Sequence, residues 1–466
     1  MSATAASFRS GEPAAARAPD VPPDARSAGI AGLRPDAVCP YGPCRFITGR
    51  LCTRALTTKL RRVHVTCLVL LLLFLSGCTG DSTRLRDLLP GSAGAPEITA
   101  PDSIVYTGRS SQIVISAVGD IMMHGPQIRA QLDPLTGNYS FVNNFRWVRS
   151  YLLLSDLAIG NLETTLGRPN GPFTGYPAFN SPDALARDLQ RSGFDVLVTA
   201  NNHSMDTGTA GLRRTASRVE SYGMVAAGTR TARTDSTWNR FTIRDITVAF
   251  AAWTYESEPH QNRRTINGIP IPVGQEYLIN SYNPANTTAD LSRMASQITE
   301  MRASGADLLI FYMHWGEEYA DEPTPAQQEL ASWLAGQGVD IIFGTHPHVV
   351  QAVEFLDETL VVWSMGNFLS NQRYESLRNR DTEDGIMVHV LVSKDHEQNQ
   401  TTVTEVHVMP TWVHRYWQGG ADGRLVYEIL PAANVVADPD YFGIQDDALL
   451  ERIGASLDRT RQTIFP

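Results

Sequence analysis

The chain has 466 residues, with 42% hydrophobic and 19% charged side chains, which is enough apolar content for a substantial core. Its net charge of −10 is uneven: from Cys78 onward there are 29 basic and 45 acidic residues, so the body lacks the basic footprint of a nucleic-acid binder and DNA or RNA partners are excluded. All five cysteines (Cys39, Cys44, Cys52, Cys67 and Cys78) fall at or before residue 78, which denies the body internal disulfides and thiolate ligands and leaves oxygen and imidazole chemistry.

Residues 1–60 are rich in Ala, Pro, Arg and Gly without an apolar period. They read as a disordered extension or as a start placed too far upstream. Arg61 and Arg62 then precede the apolar run Val65–Leu75 and the small residues Ser76 and Gly77, the make-up of a secretory signal over 61–78. The run falls short of the roughly 20 residues that a spanning helix needs. Leu75-Ser76-Gly77-Cys78 resembles a bacterial lipobox, which implies lipidation at Cys78 and an exported, membrane-anchored lipoprotein at the cell surface or in the periplasm. A plainly cleaved signal and a single membrane anchor are the alternatives. Residues 79–110 contain Gly, Ser and Pro and read as a tether, ahead of a globular domain over 111–466.

From residue 111, short apolar runs alternate with helical periodicity, the pattern of an α/β fold with buried strands. The runs are Ile113–Val118, Leu157–Ile159, Asp195–Thr199, Leu308–Met313, Ile341–Phe343 and Leu360–Trp363. Helices are expected over Ser181–Ser192 and Pro325–Gln337, each opened by a helix-start signal. Strand-like segments at 385–392 and 401–409 are expected to complete a second sheet, and an acidic helix near 445–462 to pack outside.

Polar residues fall where these strands end. Asp120, Glu163, Asn202, His314, His346 and His348 each follow a hydrophobic run almost at once. In α/β folds ligands bind beyond the carboxyl ends of the strands. Gly119-Asp120 alone reads equally well as a turn, and Gly160-Asn161-Leu162-Glu163 alone as a loop. Asn201-Asn202-His203-Ser204 fits Asx-turn chemistry, and His314 a satisfied core histidine. His346-Pro347-His348 sets two imidazoles on a rigid turn and favours chelation. Together, two carboxylates, an amide oxygen and several imidazoles suit a pair of divalent transition ions, which about 3.5–4 Å apart can clamp attacking and leaving oxygens. His203 could protonate a leaving group, since imidazole titrates near neutrality. No nucleophile elbow, Walker loop or dinucleotide fingerprint competes.

The motif order resembles the CapA family of capsule synthesis proteins, PgsA-like proteins of poly-γ-glutamate production, within the calcineurin-like metallophosphatase superfamily. The likeness covers roughly 111–371: Ala117-Val118-Gly119-Asp120, Gly160-Asn161-Leu162-Glu163-Thr164, Ala200-Asn201-Asn202-His203-Ser204-Met205-Asp206, His314-Trp315-Gly316-Glu317-Glu318-Tyr319, Gly344-Thr345-His346-Pro347-His348 and Ser364-Met365-Gly366-Asn367-Phe368. It implies a four-layer αββα sandwich of two mixed β-sheets. It also implies two metal ions (Mn, Zn or Fe) held by Asp120, Glu163, Asn202, His314, His346 and His348, with Glu163 where the superfamily places its bridging Asp. His203, His124 and Asp206 are then the catalytic candidates. Two departures bear against a plain phosphoesterase: the superfamily opens on Asp-x-His, whereas Met122 stands two residues after Asp120 and the next histidine is His124, and Glu163 is longer than Asp. The implied function is a lipid-anchored, metal-dependent hydrolase or transferase acting on an anionic polymer such as poly-γ-glutamate. A non-catalytic scaffold for membrane synthase subunits and a generic secreted metallophosphoesterase are the alternatives.

Overall fold

The computed structural model describes the backbone of 97–99 and residues 109–285, 288–419 and 423–465. The expected extension, the signal, Cys78 and most of the tether lie outside the described residues.

Central strands form where β-branched and aromatic residues run together. Ser110–Ile121 carries Ile113, Val114, Ile115 and Val118 and is buried from Ile113 on. It lies inside a nine-stranded sheet in which Asn367–Leu369 pairs with Ser110–Ile121 and Arg424–Pro431 with Gln400–Gln418, and the path of seven runs Glu97–Thr99, Gln400–Gln418, Asp384–Asp395, Ser110–Ile121, Leu157–Leu162, Val196–Val198, Val225–Ala227. The last four run parallel, while Asp384–Asp395 is antiparallel to Ser110–Ile121. A seven-stranded sheet is ordered Ser281–Tyr282, Ile246–Tyr255, Leu308–His314, Ile341–Thr345, Thr359–Val362, Val353–Leu356, with Asn239–Ile243 also paired to Ile246–Tyr255, and is again mixed.

Alternation along the strands divides the core into layers. Ile113, Ile115 and Ala117 of the first sheet share one cluster with Val248, Phe250, Ile310, Tyr312 and Phe343 of the second, so the sheets pack face to face. The opposite faces meet helices. Leu185 and Leu189 of Ala184–Ser192, with Ala216 and Val219 of Gly208–Ser221, cover the first sheet. Met294 and Ile298 of Thr288–Ala303, with Leu330 and Leu334 of Pro325–Gly336, cover the second. This is the four-layer αββα sandwich. Thr324 opens Pro325–Gly336 with a capping box to Gln327 and Pro at the first turn.

One placement corrects an expectation. The segments expected at 385–392 and 401–409 form Asp384–Asp395 and Gln400–Gln418, and they extend the first sheet beside Ser110–Ile121 instead of completing the second. The register pairs Val390 with Ile115 and Val388 with Ala117, which puts their apolar side chains on the inter-sheet face. The C-terminal helix Asp447–Ile464 packs outside through Ile453 and Leu457 against Trp412 and Leu430. Among the described residues no helix is long and apolar enough to cross a membrane.

Candidate metal centre

The carboxyl ends of both sheets converge on one seam. From the first sheet come Asp120, Glu163, Asn202 and His203, and from the second His314, His346 and His348, all of them buried. Close backbone approach brings them there. A side chain at Gly119 would collide with the carbonyl of Gly366, so glycine admits the 3.0 Å bond from the Asp120 N–H to that oxygen. The chain beyond Ile341–Thr345 turns through positive φ at both His346 (102°) and His348 (59°). Such backbone is costly for a non-glycine residue and persists where the surroundings enforce it. Here the Tyr319 N–H bonds the Pro347 carbonyl at 2.7 Å, and the Asn367 amide bonds the His348 carbonyl at 3.3 Å.

The oxygen donors are ordered by an amide relay. Asn201 Nδ2 donates to Asn161 Oδ1 (3.0 Å), and Asn161 Nδ2 donates to Asp120 Oδ1 (2.7 Å). The other Asp120 oxygen faces His348 Nδ1 at 3.0 Å. His314 Nε2 faces Asn202 Oδ1 at 3.1 Å, and its Nδ1 lies 3.1 Å from Thr345 Oγ1. Asn161 and Asn201, inside motifs read for their neighbours, are functional positions that sequence reasoning passed over. Tyr255 is another: its ring lies 4.7 Å from His346 and stacks on His314 at 6.2 Å. The polar end of the apolar run Ile246–Trp253 was the available signal.

Glu163 is the outlier. Both its oxygens are buried without a hydrogen-bond partner, as is His346 Nδ1. Burial first, and then the Asp120 carboxylate, push its pKa well above the carboxylate range. For Asp120 burial also opposes ionisation, but the hydrogen bond and charge of His348 outweigh it and lower the pKa. Burial holds His314 well below the imidazole range and His346 at about 3, with neighbouring imidazoles adding to the effect. His314 and His346 are thus kept in the neutral, metal-binding form.

Two sets of ligand atoms lie within 4.8 Å of one another: Glu163, His346 and His348, and Asp120, Glu163 and His314. Glu163 belongs to both, as a bridging carboxylate would. A buried carboxyl group with no hydrogen-bond partner, one oxygen of which lies 3.7–3.8 Å from the Nε2 atoms of His314 and His348, calls for added positive charge, so the donor set fits divalent ions.

His203 stands beside this centre with Nδ1 2.8 Å from Asp206 Oδ2, and Asp206 also accepts the Phe179 N–H at 2.6 Å. His124 joins neither ligand set. Its ring packs edge-on against Phe179 (5.1 Å), whose ring also meets His203 (4.6 Å), and burial lowers its pKa to about 4. Met122 supplies no ligand: it is buried, with Sδ 3.8 Å from the Ser370 hydroxyl.

A family model described as bacterial capsule synthesis protein PGA_cap matches residues 114–372. The PGA biosynthesis protein CapA of Bacillus subtilis (strain 168) is 27% identical over 285 residues, covering 59% of this chain and 67% of that one. The capsule biosynthesis protein CapA of Bacillus anthracis is 25% identical over 277 residues, covering 56% and 61%. The matches thus span about two thirds or less of these relatives' length. Among solved structures, the calcineurin-like phosphoesterase YfkN of Bacillus subtilis aligns over 76% of this chain and 98% of that one, at 13% identity and a TM-score of 0.37.

Proposed function

From the premise that this chain belongs to the bacterial capsule synthesis protein (PGA_cap) family, we propose that it is a metal-dependent hydrolase or transferase of poly-γ-glutamate capsule biosynthesis or export, acting on that anionic polymer. The observation that carries this is Glu163, buried, without a partner and common to both ligand sets. Asp120, Asn202, His314, His346 and His348 complete the proposed shells. Two divalent ions there (Mn, Zn or Fe) would supply Lewis-acid charge for attacking and leaving oxygens. The chain's own residues do the rest. Asp206 fixes the His203 ring, so that Nε2 is free to hand a proton to a leaving group. Phe179 keeps water from the flank between His203 and His124. Lipidation at Cys78 would hold the domain on the membrane at the cell surface or in the periplasm, near synthase subunits.

Metal analysis of the purified protein after reconstitution with Mn or Zn, beside cleavage assays on poly-γ-glutamate and on small phosphate esters, tests this. Bound ions with polymer turnover that disappears in His203→Ala support it. Phosphate release from small esters alone would instead favour the generic phosphoesterase. A scaffold without turnover is the second reading, favoured by Met122 standing where the superfamily has a histidine. It predicts co-purification with membrane partners and no turnover at any metal load.

A further inference from the structure

Arg230 lies in the loop after Val225–Ala227, the edge strand of the first sheet, with its N–H bonded to the Leu278 carbonyl at 2.9 Å, and only 6% of its surface is exposed. Its guanidinium donates to the Tyr277 carbonyl (2.6 Å) and to Asn280 Oδ1, both neutral acceptors. Its Nε is buried with no partner. Among the described residues, the acidic group acting on it is Asp235, whose carboxylate is turned to Thr231 and Ala232 at 2.8–3.0 Å. Burial, with repulsion from Arg293, lowers the Arg230 pKa to about 10. A buried cation without a counter-charge is costly, and proteins pair such groups.

The missing partner has room. Arg230 lines a cleft of about 390 Å³ with Trp253, Tyr277, Asn280, Arg293 and Ser296. Both aromatic walls carry a second cation, Arg233 over Tyr277 (4.5 Å) and Arg293 over Trp253 (5.1 Å). Glu276 and Glu300 also line the cleft. They oppose a multiply charged anion and suit an ammonium group beside a single carboxylate. We propose that this cleft is a second binding site that takes the carboxylate of an amino acid or of an amino-acid polymer's end on Arg230, with an ammonium group facing Glu276 and Glu300. The choice of an amino-acid ligand rests on the polymer reading above; the unpaired arginine and its cleft do not.

Calorimetric titration of the whole metal-loaded protein with glutamate, a short γ-glutamyl oligomer, glutarate and inorganic phosphate tests it. The expected result is saturable binding of glutamate or the oligomer, tighter than glutarate, reduced at least about tenfold in Arg230→Met. Tighter binding of the oligomer would identify the polymer end as the source, and tighter binding of glutamate the free amino acid. Ser296→Trp, an exposed helix position on the cleft, should block binding with Arg230 intact. Both variants should keep wild-type metal content. Absence of binding by any carboxylate, equal binding by both variants, or phosphate binding tightest would overturn the proposal. Normal glutamate binding by a His346→Ala, His348→Ala protein would leave this site standing even if the metal reading fails.

Discussion

The first sheet delivers Asp120, Glu163 and Asn202 to the seam, all oxygen donors, while the second delivers His314, His346 and His348, all imidazoles. The two sets are held differently. Two of the first sheet's oxygen donors, Asp120 and Asn202, lean on side chains of that sheet: Asn201 orders Asn161, Asn161 orders Asp120, and Ser204 Oγ, bonded to the Asn201 N–H (2.8 Å) and carbonyl (2.7 Å), tightens the turn carrying Asn202. The imidazoles are aimed mainly by backbone, through the strand end at His314 and positive φ at His346 and His348. Each sheet therefore presents half of a centre, and the halves meet only when the inter-sheet core packs. Amide relays tolerate small adjustment, whereas a left-handed backbone at two histidines is imposed by the fold and gives little.

The largest effect should follow from removing the second sheet's half. In a His346→Ala, His348→Ala protein, metal content should drop from about two ions per chain to one or none, and turnover should be lost with it. Because the first sheet keeps its own network, the variant should still fold, which circular dichroism would check. Full metal retention would break the division of labour between the sheets.

Next in size are the residues beside the ligands. His203→Ala should lower turnover by about 10²–10⁴-fold with metal content unchanged. Asp206→Asn keeps the imidazole but not its fixed orientation, and about 10–100-fold is expected. Equal losses in metal and turnover for either variant would reassign the pair to metal binding. His124 sits across Phe179 from His203, so His124→Gln should cost far less than His203→Ala.

A smaller effect should come from the relay. Asn161→Leu leaves Asp120 Oδ1 without its hydrogen-bond donor in a buried place and removes one of the two acceptors of the Asn201 amide, which keeps the Leu162 carbonyl, a loss of about 1–3 kcal/mol in the metal-free protein by denaturant unfolding. Glu163→Gln should act the other way: stability of the metal-free protein should rise, because a buried unpartnered carboxylate goes, while metal affinity falls. A fall in both would mean that Glu163 has a protein partner in solution.

How far this was legible in the sequence follows from where the signals lie. An apolar run broken by Asp, Asn or His is a one-dimensional pattern, and it marked the ends of Ser110–Ile121, Leu308–His314 and Ile341–Thr345. Sheet membership is not one-dimensional. The segments 385–392 and 401–409 alternate as any strand would, and only pairing with Ser110–Ile121 assigns them to the first sheet. Asn161 was hidden for a related reason. Its neighbours Gly160 and Leu162 face the side of the strand opposite to it, and its bond to Asp120 spans 41 positions of chain. The strand Ile246–Tyr255 went unread although Val248–Trp253 is apolar throughout, because no motif residue closes it, and with it went Tyr255.

The smallest effect on turnover, none at all, should come from a second buried carboxylate, which contrasts with Glu163 through stability alone. Asp384 opens the strand Asp384–Asp395 and, unlike Glu163, has protein partners: Ser456 Oγ at 2.6 Å and Arg459 at 2.7 Å, both from the C-terminal helix. Even so, burial raises its pKa from the ordinary 3.8 to about 7, with Arg459 pulling the other way. A carboxyl raised on folding binds its proton more tightly in the folded state, so its penalty is absent below about pH 4, grows between pH 4 and 7, and is complete above 7. Each unit of separation corresponds to about 1.4 kcal/mol. Wild-type stability should therefore decline from pH 4 to 7 more steeply than that of Asp384→Asn, measured by denaturant midpoints on metal-free protein. The same comparison with Glu163→Gln, repeated with and without metal, separates the two kinds of buried acid. Metal should abolish the Glu163 contribution to the slope and leave the Asp384 contribution as it was. If metal flattens both, the two carboxylates answer to one site, and the seam extends further along the first sheet than Asp120.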